Sequence, residues 1–293
     1  MDGAFAKAEQ FLLGSARLLE RRLFATCFLH APPAGVLEAV AAYRNDDGGF
    51  GQALEPDLRC PASLPIFVES ALDAVLAAGA GEESMLLGMC EFLSAASPAG
   101  AHGAVPPTSP VIEAFPRAAH WTTSSYEPGI NPTAGLVGRL LALGVRHRWL
   151  ERAAVWCWER LESGEAVGDA HGLLEALVFL EHVPERDRAE AVAARLAAGF
   201  AEVPLLQLDP AAPGYGLTPL QLAPQATSHW RKLFPADLIE AHLDALAGRQ
   251  CGDGGWPITW EPPEGAAALE WRGIVTLQAL RTLVSYGRIA AQS

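Results

Sequence analysis

Two stretches far apart in the chain follow one pattern: Arg44-Asn45-Asp46-Asp47-Gly48-Gly49-Phe50 and Gln250-Cys251-Gly252-Asp253-Gly254-Gly255-Trp256. In each, an apolar helix ends, Gly-Gly supplies backbone conformations closed to other residues, and an aromatic ring folds back over the hairpin. The match extends in both directions. Val40 precedes the first copy as Leu246 precedes the second, and Leu54-Glu55-Pro56 follows at the same distance as Trp260-Glu261-Pro262. Apolar helices, Phe67–Leu76 and Ile274–Leu283, come next, so about forty residues align and predict a repeated helical hairpin. Glu127-Pro128 and Asn131 mark the place of a third, eroded copy without the Gly-Gly-aromatic turn.

Working outward, apolar positions recur at helical spacing over 5–24, 33–44, 66–79, 84–95, 133–143, 148–162, 171–182, 186–200, 236–249 and 272–286, with almost no strand-like alternation. The chain is therefore expected to be all-α. Asn131-Pro132 suits a helix start, and Gly144-Val145 a helix stop. Two proline-rich stretches, 96–130 and 201–235, interrupt the short links between helices. Their aromatic residues suggest packed flaps over a cavity.

The second copy, with Leu246, Gln250, Gly254 and Trp256, resembles the QW motif of squalene-hopene and oxidosqualene cyclases, and the repeat is similar to that of protein prenyltransferase β-subunits. The first copy departs from it, with Arg44 and Phe50 in place of Gln and Trp. The resemblance implies an α/α-toroid of five to six helical hairpins forming one domain over 1–293, with an isoprenoid-type apolar molecule in a central cavity. In those families the turn itself is architecture.

The chemistry of those families does not transfer. A proton-initiated cyclase uses Asp-x-Asp-Asp, and a diphosphate-ionising cyclase clusters carboxylates as Asp-Asp-x-x-Asp; the sequence has neither. Asp46-Asp47 sits inside the turn, where helix-end capping is its expected role. Cys251 and Asp253 match part of the prenyltransferase zinc set, yet 272–286 has no histidine. No metal or cofactor is implied.

Composition narrows the partners. With 21 Lys+Arg against 34 Asp+Glu the net charge is −13, and no basic stripe points to nucleic acid. No apolar run reaches the roughly 18 residues of a membrane span. The beginning of the sequence passes straight into an amphipathic helix without a secretory pattern, and the five cysteines are odd in number with no Cys-x-x-Cys spacing. These features predict a cytoplasmic protein with reduced thiols and a small-molecule ligand.

Candidate site residues fall just after each turn: Glu55, Asp57 and Arg59 in the first copy, and Glu261, Glu270 and Arg272 in the second. If the ring closes, both sets face one mouth, where a protonated carboxyl can deliver a proton and an arginine can orient a ligand. The repetition of Glu55 and Glu261 after both turns favours a second reading of these two, as braces accepting backbone hydrogen bonds. His171 and Glu175 share a helical face and suit an acid–base pair, two metal ligands or a surface ion pair. Trp121, Tyr126, Tyr215 and Trp260 are aromatic candidates for ligand contact, whereas Trp149, Trp156 and Trp158 read as packing. Three functions follow: an enzyme on an isoprenoid-type molecule, an enzyme on a polar substrate such as a glycoside, and a non-catalytic binding toroid.

Overall fold

The computed structural model describes residues 3–122, 126–164 and 167–291. The regular structure of these residues is helical, with isolated bridges as the only extended pairing among them. The helices are α1 (Ala4–Ser15), α2 (Leu18–Phe28), α3 (Ala34–Ala41), α4 (Pro65–Ala78), α5 (Glu83–Ala96), α6 (Ile130–Ala142), α7 (Arg148–Glu162), α8 (Ala170–His182), α9 (Arg186–Ala197), the short α10 (Pro219–Leu222), α11 (Ala236–Gly248) and α12 (Ala267–Ser285). None is long and apolar enough to cross a membrane.

The helix ends follow from local chemistry. After α6, Gly144 turns left-handed at φ 71° and its N–H bonds Leu141 O, while Val145 N bonds Leu140 O, so the last carbonyls of the helix are satisfied. Asn131 is extended (φ −87°, ψ 121°) immediately before Pro132, as a residue preceding proline should be. The helix expected over 5–24 is instead two. Ala16 and Arg17 are extended, and the Arg17 guanidinium reaches forward to Glu20 at 2.6 Å and across to Leu54 O at 2.8 Å. Apolar periodicity survives this break, because Phe5 on α1 meets Phe24 and Phe28 on α2 at 5.8 and 5.4 Å.

Packing is sequential. α2 lies on α4, α4 on α6 and α6 on α8; α12 lies on α2, and α1 on α12. The odd-numbered helices cover this series: α3 against α2 and α4, α5 against α4 and α7, α7 against α6, α9 against α8 and α11 against α12. The tightest contact, between α6 and α8, depends on missing side chains. A Cβ on Gly138 would stand 2.5 Å from Val178 O, and one on Gly135 would overlap the Glu175 carboxylate.

The two Asp-Gly-Gly turns use their glycines alike. Gly48, at φ 84°, lays its backbone on Gly88 of α5, and Gly254, at φ 92°, lays its own on Lys7 of α1. Phe50 and Trp256 are buried behind them. Gln250 donates from Nε2 to Ala4 O and Gly254 O, both at 2.9 Å, and Trp256 donates to Leu246 O at 2.8 Å.

The proline-rich stretches are packed where described. Trp230 is fully buried and donates to Leu177 O at 2.8 Å, and Phe234 stacks on Phe200 at 5.2 Å. Thr123 to Ser125, within the first stretch, lie outside the described residues. Cys60, Cys90 and Cys157 are buried, and all five cysteines are free.

Candidate functional site

The first turn's continuation runs inward. Leu54, Pro56, Asp57 and Leu58 are all buried, and the main chain here pairs with the first proline-rich stretch: Arg59 N donates to Pro116 O and Ala118 N to Asp57 O, each at 2.9 Å. This stitch carries His120 to the Asp57 side chain.

Asp57 is the hub. Its side chain is 4 % exposed, Oδ1 accepts from Trp271 Nε1 at 2.8 Å, Oδ2 accepts from Trp260 Nε1 at 3.0 Å, and His120 Nε2 stands 3.7 Å from Oδ2. Burial pushes the Asp57 carboxyl above its ordinary range, and the two indoles and His120 pull the other way without cancelling it. Burial of one edge lowers the His120 imidazole, and His171 adds to this while Asp57 opposes it; with 55 % of the side chain exposed, solvent blunts the effect. An acid raised and a base lowered are thereby drawn toward the same pH range.

From Asp57 the site extends through aromatic edges. Trp271 meets Trp260 edge-on at 4.9 Å, Trp260 meets Tyr215 edge-on at 5.4 Å, and Tyr215 lies nearly parallel to His171 at 5.7 Å. His171 Nε2 is 2.6 Å from the Tyr215 hydroxyl, and its Nδ1 is 3.2 Å from Asp169 Oδ1. On the other side Arg59 pairs with Glu270 at 2.5 Å. The residues following the two turns thus meet, Asp57 with Trp260 and Trp271, and Arg59 with Glu270.

The remaining candidates are placed elsewhere or differently. Glu55 turns inward: burial first and the Asp57 charge second push its carboxyl well above the carboxylate range, the nearby Asp57 and Leu58 backbone opposes this, and its Oε2 is buried without a hydrogen-bond partner. Glu261 is exposed, so the equivalence with Glu55 expected from the repeat fails. Arg272 grips Asp253 of its own turn with two 2.8 Å bonds and covers Phe11 at 4.6 Å, a clamp on the turn and not part of the Asp57 cluster. Tyr126 donates to Glu113 at 2.9 Å, and Trp121 lies 5.3 Å from His120 with its indole nitrogen buried.

His171 and Glu175 take different partners despite their shared face. Glu175 pairs with Arg139 at 2.6 Å, and Arg139 also holds Asp73 at 2.6 Å and Glu69 at 3.5 Å. Burial works against the Arg139 charge, but the three acids hold it ionised well above its ordinary range. One guanidinium cannot balance three carboxylates, and burial, followed by the Glu175 charge, pushes Glu69 well upward. Among the described residues no group of three or more His, Cys, Asp or Glu forms a metal site. A separate groove of about 250 Å³ between α2 and α3, lined by Leu18, Leu19, Arg22 and Tyr43, contains none of the candidates.

His120, Trp271 and the Arg139 network were not foreseen as site residues. Glu69, Asp73 and Arg139 carried a readable signal, since each is a charge inside an otherwise apolar helical run. No known protein family matches the chain, and no curated protein matches it.

Proposed function

We propose that the chain is a one-domain α/α-toroid enzyme, cytoplasmic, that performs general acid–base chemistry on a small polar, hydroxyl-bearing molecule of the carbohydrate type. The toroid reading is supported by the succession α2, α4, α6, α8 and by the return of α12 to α2 and α1. The observation that carries the function is the convergence on buried Asp57 of His120, Trp260 and Trp271, with Arg59, Glu270, His171 and Tyr215 around them. Asp57 is the proton donor and His120 the base. His120 Nε2 stands 3.7 Å from Asp57 Oδ2, which sets acid and base side by side at one place. Trp260 and Tyr215 offer ring surface to a sugar.

An isoprenoid at this place would return no hydrogen bond to the partly exposed His120, Arg59, Glu270 and His171, at about 1–3 kcal/mol for each polar atom that loses its water. That cost ranks the polar ligand ahead of the apolar one suggested by the repeat. The test is a paired screen of aryl glycosides and neutral oligosaccharides against squalene and prenyl diphosphates, read by melting temperature and product release. A sugar-type compound should stabilise the protein and turn over, and Asp57→Asn or His120→Ala should each cost roughly 10²–10⁴-fold in rate. Stabilisation by isoprenoids alone, absence of any glycoside turnover, or full turnover by Asp57→Asn overturns the reading.

A further inference from the structure

Tyr215 stands at the tip of a loop tied shut at its base. Gln207 N donates to Leu217 O and Leu217 N to Leu205 O, both at 2.8 Å, and the Gln207 side chain donates to Pro213 O and Gly214 O at 3.4 and 3.3 Å. Gly214 turns at φ 82°, and a side chain on Gly216 would meet Leu205 O at 2.7 Å, so the Gly-Tyr-Gly tip admits little else. The loop presents a phenol in one orientation, with 37 % of Tyr215 exposed.

Behind the phenol lies an ordered chain of acceptors. Asp169 Oδ1 caps α8, accepting from His171 N at 2.9 Å and Gly172 N at 3.3 Å, and this fixes the carboxylate that faces His171 Nδ1 at 3.2 Å. A proton on Nδ1, donated to Asp169, leaves the Nε2 lone pair for the Tyr215 O–H 2.6 Å away. Nucleophile, base and orienting carboxylate follow one another as in hydrolytic triads, with phenol in the place of a serine hydroxyl. Tyr126 and Tyr286 differ: their hydroxyls donate to the Glu113 carboxylate and to Ala223 O, not to an imidazole.

The geometry assigns Tyr215 the role of an oxygen nucleophile toward small activated acyl compounds, with His171 as its base and Asp169 orienting His171. The Tyr215 oxygen attacks the acyl carbon of an ester, its proton passes to His171 Nε2, the new phenol-ester C–O bond forms, and the C–O bond to the leaving oxygen breaks with its electron pair, that oxygen taking the proton from His171 and departing as the alcohol. Burial, then the charges of Asp169, Asp57 and Glu55, push the free phenol up to about 12, so no standing phenolate exists and the proton must leave as the bond forms. The role is independent of the acid–base reading of Asp57.

The experiment treats the full chain with p-nitrophenyl acetate at neutral pH, follows nitrophenolate release and maps acetyl groups by peptide mass spectrometry. One acetyl per chain is expected on Tyr215, at least about 10-fold faster than on Tyr126 or Tyr286. His171→Gln should slow it by roughly 10²-fold or more, Asp169→Asn by less, and Tyr215→Phe should abolish the burst, each with the melting temperature retained. Equal labelling of the tyrosines, labelling of Tyr215 unaffected by His171→Gln, or a burst that persists in Tyr215→Phe overturns the assignment. Acetylation of Tyr215 without glycoside turnover would keep this inference and discard the proposed function; the converse would do the opposite.

Discussion

The first Asp-Gly-Gly turn and the second do the same mechanical work and lead to different chemistry. Each sets its glycine backbone against a neighbouring helix, α5 for the first and α1 for the second, and each buries an aromatic ring. The polar supports differ. Asp47 accepts from Gly49 N at 2.9 Å and from the Ser63 hydroxyl at 2.7 Å, whereas Asp253 accepts from Gly255 N and is held by Arg272. Beyond the turns the copies separate fully: 54–58 dives inward with Glu55 and Asp57, while Glu261 at the corresponding place stays in solvent. A repeat can preserve its backbone contacts while the following residues diverge: the glycine approach and the turn's own hydrogen bonds, Asn45 N to Gly49 O and Cys251 N to Gly255 O, hold the main chain in both copies.

The sharpest way to break this comparison is to fill the glycine contacts. Gly254→Ala would place a methyl on the Lys7 carbonyl at a left-handed φ, and Gly48→Ala would place one 2.6 Å from Gly88 O. Both should lose roughly 2–5 kcal/mol in urea unfolding, with Gly254→Ala the larger. A reversed order would show that the two turns are not mechanically alike.

A smaller effect separates the continuations. The Glu55 carboxyl is raised in the folded protein, so its contribution to stability is complete below the ordinary carboxylate pKa and is lost as pH rises through the folded value. Glu55→Gln should therefore melt a few degrees above the parent at about pH 8 and converge with it near about pH 4, while Glu261→Gln changes nothing at either. Parallel curves for all three proteins would remove the distinction.

The smallest effect concerns the supports. Hydrogen bonding to Arg272 holds the Asp253 carboxyl below its ordinary value, so this stabilisation is present above the ordinary carboxylate pKa and lost as pH falls. Since 51 % of the Asp253 side chain is exposed, Asp253→Asn should cost only about 0.5 kcal/mol, and the difference should vanish in about 1 M salt. A salt-insensitive loss would mark the pair as more than a surface clamp.

Local signals were legible and distant ones were not. The helix over 148–162 appears with both expected ends, since His147 caps it through its ring nitrogen and the apolar stripe runs its full length. The break at Ala16 leaves no mark in the apolar spacing, and the tie beside it, from Arg17 to Leu54 O, reaches thirty-seven residues away. In the site, the residues after the two turns meet as Arg59 with Glu270 and Asp57 with Trp260, whereas Glu261 stays exposed where Glu55 turns inward. His120 escaped because its position depends on the pairing of Ala118 with Asp57, which no residue near His120 announces. The toroid and its ligand stay proposals, resting on packing order and on the polarity around Asp57.

The seat of the second turn on α1 also bears on how the protein is made. The apolar face of α1, with Phe5, Ala8, Phe11 and Leu12, finds its cover in α2, α12 and the Gly254–Gly255 backbone. A ribosome releases α12 and the second turn some 250 residues after α1. In that interval the apolar face of α1 is an unfinished hydrophobic edge, and the second-turn hairpin works as the clasp that ends its exposure to chaperones and to other chains.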